Sequence, residues 1–97
     1  MTFTQLYRII TLRRKSGDAS SYVASLFREG KDRIIQKVGE ESVEVVIAAK
    51  NSDRTRQIEE VCDLFFHILV LMVSLGITLP EVFQELSKRN SKRLKSA

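Results

Sequence analysis

The apolar segment 64–75 constrains the fold most, because only His67 and Ser74 within it are polar. A helix that is apolar nearly all round has to be covered on every side. The segment is too short to span a bilayer, and Asp63 stands at its edge. We therefore expect the central helix of a soluble, cytoplasmic protein with no membrane partner.

The size of the chain makes this helix hard to cover. A single domain spanning 1–97, which is how we interpret the sequence, has room for only one modest core. We therefore predict a homodimer in which a second copy of the chain covers the central helix. The alternative is a monomer with this helix in the middle of a bundle.

Few residues that break helices are present, since the chain has four glycines and one proline. This scarcity favours an all-α fold, a compact bundle of about five helices with two long central ones. Gly30 is expected to end the second helix, and Asp32 to cap the third. The predicted helices cover 4–15, 21–28, 33–50, 54–75 and, after a capping box at 78–81, residues up to about 90.

Acidic residues cluster on the third and fourth predicted helices. Glu41 and Glu44 are three residues apart, as are Glu60 and Asp63, so each pair projects to one side of its helix. The two helices are joined by a short turn at 51–53, and antiparallel packing lets the pairs face each other. We therefore predict that these four carboxylates converge.

Converging carboxylates need a counter-charge, because each close pair costs about 4 kcal/mol at an effective dielectric constant of about 20. Mg²⁺, or alternatively Mn²⁺, removes this repulsion and suits ligation by oxygen alone better than Zn²⁺ does. Asp63 interrupts an apolar run, so we expect it to be partly buried. The alternative is a solvated acidic face with Lys37 and Lys50 as ion-pair partners. For Glu40 and Glu59, this alternative fits as well as a role at the metal site does.

Two further side chains of the fourth helix carry possible chemistry. His67 lies one turn beyond Asp63, and we interpret it as a core histidine bonded to Asp63 or to a backbone carbonyl. Metal ligation by His67 is the alternative. Cys62, the single cysteine, excludes an intramolecular disulfide and is expected to be buried.

Basic residues surround the acidic centre, and the net charge of +4 suits an anionic partner. Lys37 lies one turn before Glu41, where it can bind a phosphate oxygen. A basic module that binds nucleic acid through the first helix and the tail at 92–95 is an alternative. An acidic centre repels phosphate unless a metal is bound, and no nucleic-acid motif is recognisable, so we expect no nucleic acid partner.

Two stretches resemble a known family. The sequence KVGEESVE at 37–44, followed by EVCD at 60–63, resembles the motif of the all-α nucleotide pyrophosphohydrolases, which include the MazG proteins and dimeric dUTPases. The longer match GKDRIIQKVGEE at 30–41, with Ser21-Tyr22 before it and DLFFH at 63–67 after it, resembles the phosphoribosyl-ATP pyrophosphatases of histidine biosynthesis.

The resemblance implies a MazG-like dimer and Mg²⁺-dependent hydrolysis of phosphoribosyl-ATP, a small nucleotide, to phosphoribosyl-AMP and pyrophosphate. By motif position, it implies metal ligation by Glu41, Glu44, Glu60 and Asp63, and orientation or deprotonation of water by Glu40 or Glu41. Substrate contacts are implied for Lys31, Arg33 and Lys37. The alternatives are a housecleaning hydrolase of the same superfamily acting on non-canonical nucleoside triphosphates, and a pure dimerisation module.

Overall fold

The computed structural model describes residues 1–90, which form five helices and no strand. The all-α fold and the number of helices are therefore confirmed, whereas MazG-like architecture and dimerisation stay predictions. The basic tail at 92–95 lies outside the described residues. The helices are α1 (Phe3–Lys15), α2 (Tyr22–Glu29), α3 (Lys31–Ala49), α4 (Arg54–Leu75) and α5 (Leu79–Arg89).

Local capping explains most of these boundaries. The side chain of Asp53 accepts a hydrogen bond from the backbone N–H of Arg56, and α4 begins there as predicted. Gly76, with φ 72°, adopts the left-handed conformation that ends α4. The predicted capping box of α5 is also present, since the side chains of Thr78 and Glu81 bond to each other's backbone N–H groups.

The predicted start of α3 was wrong. Asp32 does not cap this helix but lies in its first turn, because α3 begins at Lys31 directly after Gly30. Gly30 ends α2 and precedes α3 with φ 106° and ψ 170°, a conformation open almost only to glycine. One residue thus joins two helices, and no position remains for a separate side-chain cap.

The hydrophobic core lies where α1, α2 and α3 pack against the second half of α4. Four side chains, one from each of these helices, are the most completely buried: Ile10, Leu26, Ile34 and Val70. Within residues 1–90, the opposite face of α4 is not covered, since Phe65 is 46% exposed and Ile68 is 37% exposed. The described residues of one chain thus leave apolar surface of the central helix exposed, which the predicted dimer requires.

Truncation of Leu26 tests the core. Because Leu26 is 1% exposed, Leu26→Ala removes buried methyl groups and leaves a cavity. We expect the free energy of unfolding to fall by about 3 kcal/mol. Thermal unfolding followed by circular dichroism at a fixed protein concentration measures this loss. Leu12→Ala is the control, since Leu12 is 62% exposed, and an equal loss there would contradict the assignment of the core.

Within residues 1–90, no single helix is long and apolar enough to cross a membrane. Only α4 and α5 together pass on length and composition, as a pair bent by 109°.

Candidate active site

The long helices α3 and α4 form the most extensive helix pair, and they place the acidic residues. The side-chain amide of Gln57 bonds to the carbonyl of Ala48 at 3.2 Å near the connecting turn. Further from the turn, oxygens of Glu41, Glu60 and Asp63 lie within 4.8 Å of one another. Each of these contacts joins a residue before the turn to one at a similar distance after it. The helices α3 and α4 therefore run antiparallel. The structure thus brings together three of the four predicted ligands.

The burial of these carboxylates differs from the expectation. Asp63, predicted to be partly buried, is exposed, whereas Glu60 is buried and only 5% exposed. Glu60, His67 and Val70 lie on the side of α4 that packs inward. At about 100° per residue, Asp63 lies between His67 and Val70 around the helix axis, so helical spacing alone does not explain why its side chain is exposed.

The donor set fits a hard divalent cation. All three groups offer carboxylate oxygen, which Mg²⁺ prefers. Oxygens on opposite sides of Mg²⁺ are about 4.2 Å apart, since each Mg–O bond is about 2.1 Å. The limit of 4.8 Å exceeds this by a few tenths of an ångström, which small side-chain rotations close.

Glu44, the fourth predicted ligand, is not in this group of three. Its Oε2 atom lies 3.8 Å from Nη2 of Arg56, and the same nitrogen lies 3.1 Å from Oε1 of Glu60. Arg56 therefore connects Glu44 to the edge of the cluster. Arg56 was not among the predicted site residues, although its position four residues before Glu60 is the spacing of a helical ion pair.

Lys37 lies beside Glu41 at the edge of the cluster, as predicted. Its Nζ atom is 3.2 Å from Oε1 of Glu41 and 3.4 Å from Oε2 of Glu40. Burial alone would lower the pKa of Lys37, but the hydrogen bonds and charges of these two glutamates outweigh it and raise that pKa. Lys37 is therefore a fixed positive charge beside the carboxylates.

Glu40 is not in the group of three and is held by neighbours on its own helix. The side chain of Gln36 donates to it at 2.8 Å, and Nη1 of Arg33 lies 3.8 Å away. The hydrogen bond from Gln36, with help from Lys37 and Arg33, lowers the pKa of the Glu40 carboxyl. Lys31 lies at the exposed start of α3, and within residues 1–90 its side chain has no ion pair or hydrogen bond.

His67 is a core histidine with both ring nitrogens engaged. Nδ1 lies 2.7 Å from the backbone carbonyl of Asp63, as predicted, and Nε2 lies 2.8 Å from the hydroxyl of Tyr22. Because a carbonyl only accepts, Nδ1 carries the proton and Nε2 accepts from Tyr22. Both nitrogens are thus committed to the protein, which disfavours metal ligation by His67.

The contacts of Tyr22 were not predicted from the sequence, and the burial of Cys62 was predicted incorrectly. Tyr22 packs on Phe66 with ring centroids 6.1 Å apart, and partial burial raises the pKa of its hydroxyl. The sequence held no signal for its bond to His67, which spans 45 residues. The expectation that Cys62 is buried was wrong, since it is exposed on the uncovered face of α4 beside Phe65.

Comparisons with known proteins bear on this geometry. The family model described as "Phosphoribosyl-ATP pyrophosphohydrolase" matches residues 3–90, a range that includes every candidate site residue. Three relatives named "Phosphoribosyl-ATP pyrophosphatase" are similar to this chain. The relative from Lacticaseibacillus casei is 49% identical over 91% of this chain and 80% of its own length. The relative from Leptospira biflexa is 47% identical over 90% and 95%. The relative from Clostridium novyi is 44% identical over 91% and 80%.

Proposed function

The chain belongs to the phosphoribosyl-ATP pyrophosphohydrolase family, and on that premise we propose that it cleaves phosphoribosyl-ATP between the α and β phosphates. The products are phosphoribosyl-AMP and pyrophosphate, and the reaction belongs to histidine biosynthesis in the cytoplasm. The observation that carries this proposal is the convergence of Glu41, Glu60 and Asp63 beside Lys37. Cleavage of a phosphoanhydride depends mainly on positioning and charge neutralisation, which such a site supplies.

A divalent cation, Mg²⁺ or alternatively Mn²⁺, fits this site. We propose that Glu41, Glu60 and Asp63 hold it and that Glu44, at the edge of the cluster, is the fourth ligand. When bound, the ion would neutralise charge on the phosphate oxygens and on the leaving pyrophosphate.

The roles of the surrounding side chains follow from their contacts. Glu40 has a lowered pKa, so it stays a carboxylate at neutral pH and orients the attacking water by accepting a hydrogen bond from it. Glu41, within the cluster, is the alternative acceptor of the proton of that water. Lys37 stays protonated and donates to a phosphate oxygen. Arg33 and Lys31, further along α3 toward its start, would contact the remaining phosphates of the substrate.

Removal of the Lys37 charge tests this assignment. A hydrogen bond to a charged group contributes about 1.5–3 kcal/mol, so Lys37→Gln should lower kcat/KM by about 10- to 100-fold. Steady-state kinetics on phosphoribosyl-ATP measure the change. Lys50→Gln, which removes the same charge at the exposed end of α3, is the control. Equal effects of the two variants would contradict a specific phosphate contact.

We also propose a homodimer formed through the uncovered face of α4. This face borders an apolar groove of about 220 Å³ between α1, α4 and α5. The rings of Phe3 and Phe65 meet edge to face at its wall, with centroids 5.2 Å apart. A second groove begins on the other side of Phe65 and extends to Arg54. The apolar surface of α4 is thus continuous, and a symmetric copy of the same helix is the partner of matching chemistry.

Pyrophosphate release from a panel of substrates tests the proposed function. The panel holds phosphoribosyl-ATP, ATP and a set of deoxynucleoside triphosphates, each with Mg²⁺ present. Release from phosphoribosyl-ATP alone is the expected result. Release from the deoxynucleotides instead would move the chain to the housecleaning hydrolases. No release from any of them would refute the hydrolase assignment.

A further inference from the structure

Two basic side chains each pair with a different carboxylate of the candidate site. Lys37 pairs with Glu41 on one side at 3.2 Å, and Arg56 pairs with Glu60 on the other side at 3.1 Å. The side chain of Asp63, in contrast, has no ion pair or hydrogen bond within residues 1–90. The two cations differ in exposure, since the Lys37 side chain is 17% exposed and that of Arg56 is 55% exposed.

The ion pair with Arg56 matters because Glu60 is buried. Its side chain is 6% exposed, and a buried carboxylate without a counter-charge is strongly unfavourable. Arg56 supplies that charge from the solvent side, and it reaches Glu44 with the same nitrogen at 3.8 Å. A divalent cation held by the cluster would bind the same carboxylate of Glu60. It would also repel the guanidinium, because the two positive charges would lie within a few ångströms of each other.

The guanidinium group has a second use at this position. Arg56 lies on the first turns of α4, and its exposed side chain has room to turn away from Glu60 without disturbing the core. The planar fork of arginine matches phosphate oxygens with two parallel hydrogen bonds. A phosphate chain bound at the neighbouring carboxylates through a cation lies within reach of such a side chain.

We propose that Arg56 is a catalytic residue that exchanges partners, pairing with Glu60 in the free protein and with the phosphate chain of the nucleotide in the complex. This inference rests on the proposed function, since it concerns the same site and substrate. In the free protein, Arg56 neutralises the buried carboxylate of Glu60, and the divalent cation takes over this role when it binds. It then donates to oxygens of the departing pyrophosphate, where negative charge accumulates.

The test compares Arg56→Gln with the wild type in two measurements. The first is Mn²⁺ affinity without nucleotide, followed by electron paramagnetic resonance of free Mn²⁺. Because Arg56 competes with the cation, we expect Arg56→Gln to bind Mn²⁺ on the order of 10-fold more tightly. The second is kcat for pyrophosphate release at saturating Mg²⁺. We expect it to fall on the order of 1,000-fold, the lower end of the effect of arginines that stabilise a transferring phosphoryl group.

Arg89→Gln is a matched control. Arg89 pairs with Glu85 at 3.0 Å, also four residues apart, and its side chain has the same exposure of 55%. An exposed pair of this kind contributes little, so both measurements should stay within about 2-fold of the wild type. Arg56→Lys keeps the charge but loses the fork, so its Mn²⁺ affinity should match the wild type while kcat still falls.

Each outcome bears on the proposal. Unchanged Mn²⁺ affinity and unchanged kcat in Arg56→Gln would overturn it and leave the proposed function standing. Tighter Mn²⁺ binding with full kcat would refute the contact with the phosphate chain. A wild-type protein that binds Mn²⁺ but releases no pyrophosphate from phosphoribosyl-ATP would overturn both this proposal and the proposed function.

Discussion

Glu60→Gln is expected to lower kcat for pyrophosphate release from phosphoribosyl-ATP on the order of 1,000-fold. Glu60 is the most buried of the three converging carboxylates, and an amide in its place keeps the shape while removing the charge. Stabilisation of charge by a metal contributes several kcal/mol to the reaction, and about 1.4 kcal/mol is tenfold in rate. Single-turnover kinetics at saturating Mg²⁺ measure the loss separately from product release.

Glu59→Gln is the matched control for this experiment. Glu59 is the neighbouring glutamate on α4, but it is exposed and outside the group of three. Its replacement should leave kcat within about 2-fold of the wild type, as for most exposed substitutions. Circular dichroism should show intact helices in both variants. Equal kinetics for Glu60→Gln and the wild type would contradict the assignment of Glu60 as a ligand.

Phe65→Glu is expected to convert the proposed homodimer into a monomer. Phe65 borders both grooves on the uncovered face of α4, so a partner would bury the new carboxylate. Burial of an unpaired charge costs several kcal/mol, which corresponds to dimer affinity on the order of 1,000-fold weaker. Light scattering coupled to size-exclusion chromatography should show a mass near 11.1 kDa for the variant and twice that for the wild type.

Leu12→Glu is the control for this interface. Leu12 is a more exposed apolar residue than Phe65, on α1, and it lines neither groove. The same charge there should leave the mass at the dimer value. A wild-type protein of monomer mass, or a Phe65→Glu variant that remains a dimer, would contradict assembly through this face.

The sequence predicted the elements of the fold whose causes are local. The bounds of α4 were predicted correctly because Asp53, at its start, and Gly76, at its end, act on the adjacent backbone. The start of α3 was missed because Gly30 terminates one helix and begins the next, which depends on how two helices join. Helix spacing also identified Glu41, Glu60 and Asp63 as neighbours, since it fixes the side of the helix to which each residue projects.

Burial and long-range contacts were beyond this kind of reasoning. Periodicity shows that Glu60 and Asp63 share one side of α4, but it does not show which of them the neighbouring side chains cover. That coverage depends on packing of the whole core. The bond between Tyr22 and His67 joins α2 to α4, and no pattern in one sequence reports such a pair. The position of Arg56 was visible as helical spacing, although its importance follows only from the burial of Glu60.

The most direct test of the proposed site is the rate of pyrophosphate release from phosphoribosyl-ATP as Mg²⁺ is added to protein stripped with a chelator. The site of Glu41, Glu60 and Asp63 predicts no release without a divalent cation. It also predicts a rate that rises to saturation with Mg²⁺ and is restored by Mn²⁺. Release at the full rate in excess chelator would contradict a metal site at these residues, because the carboxylates would then serve a purpose other than holding a metal.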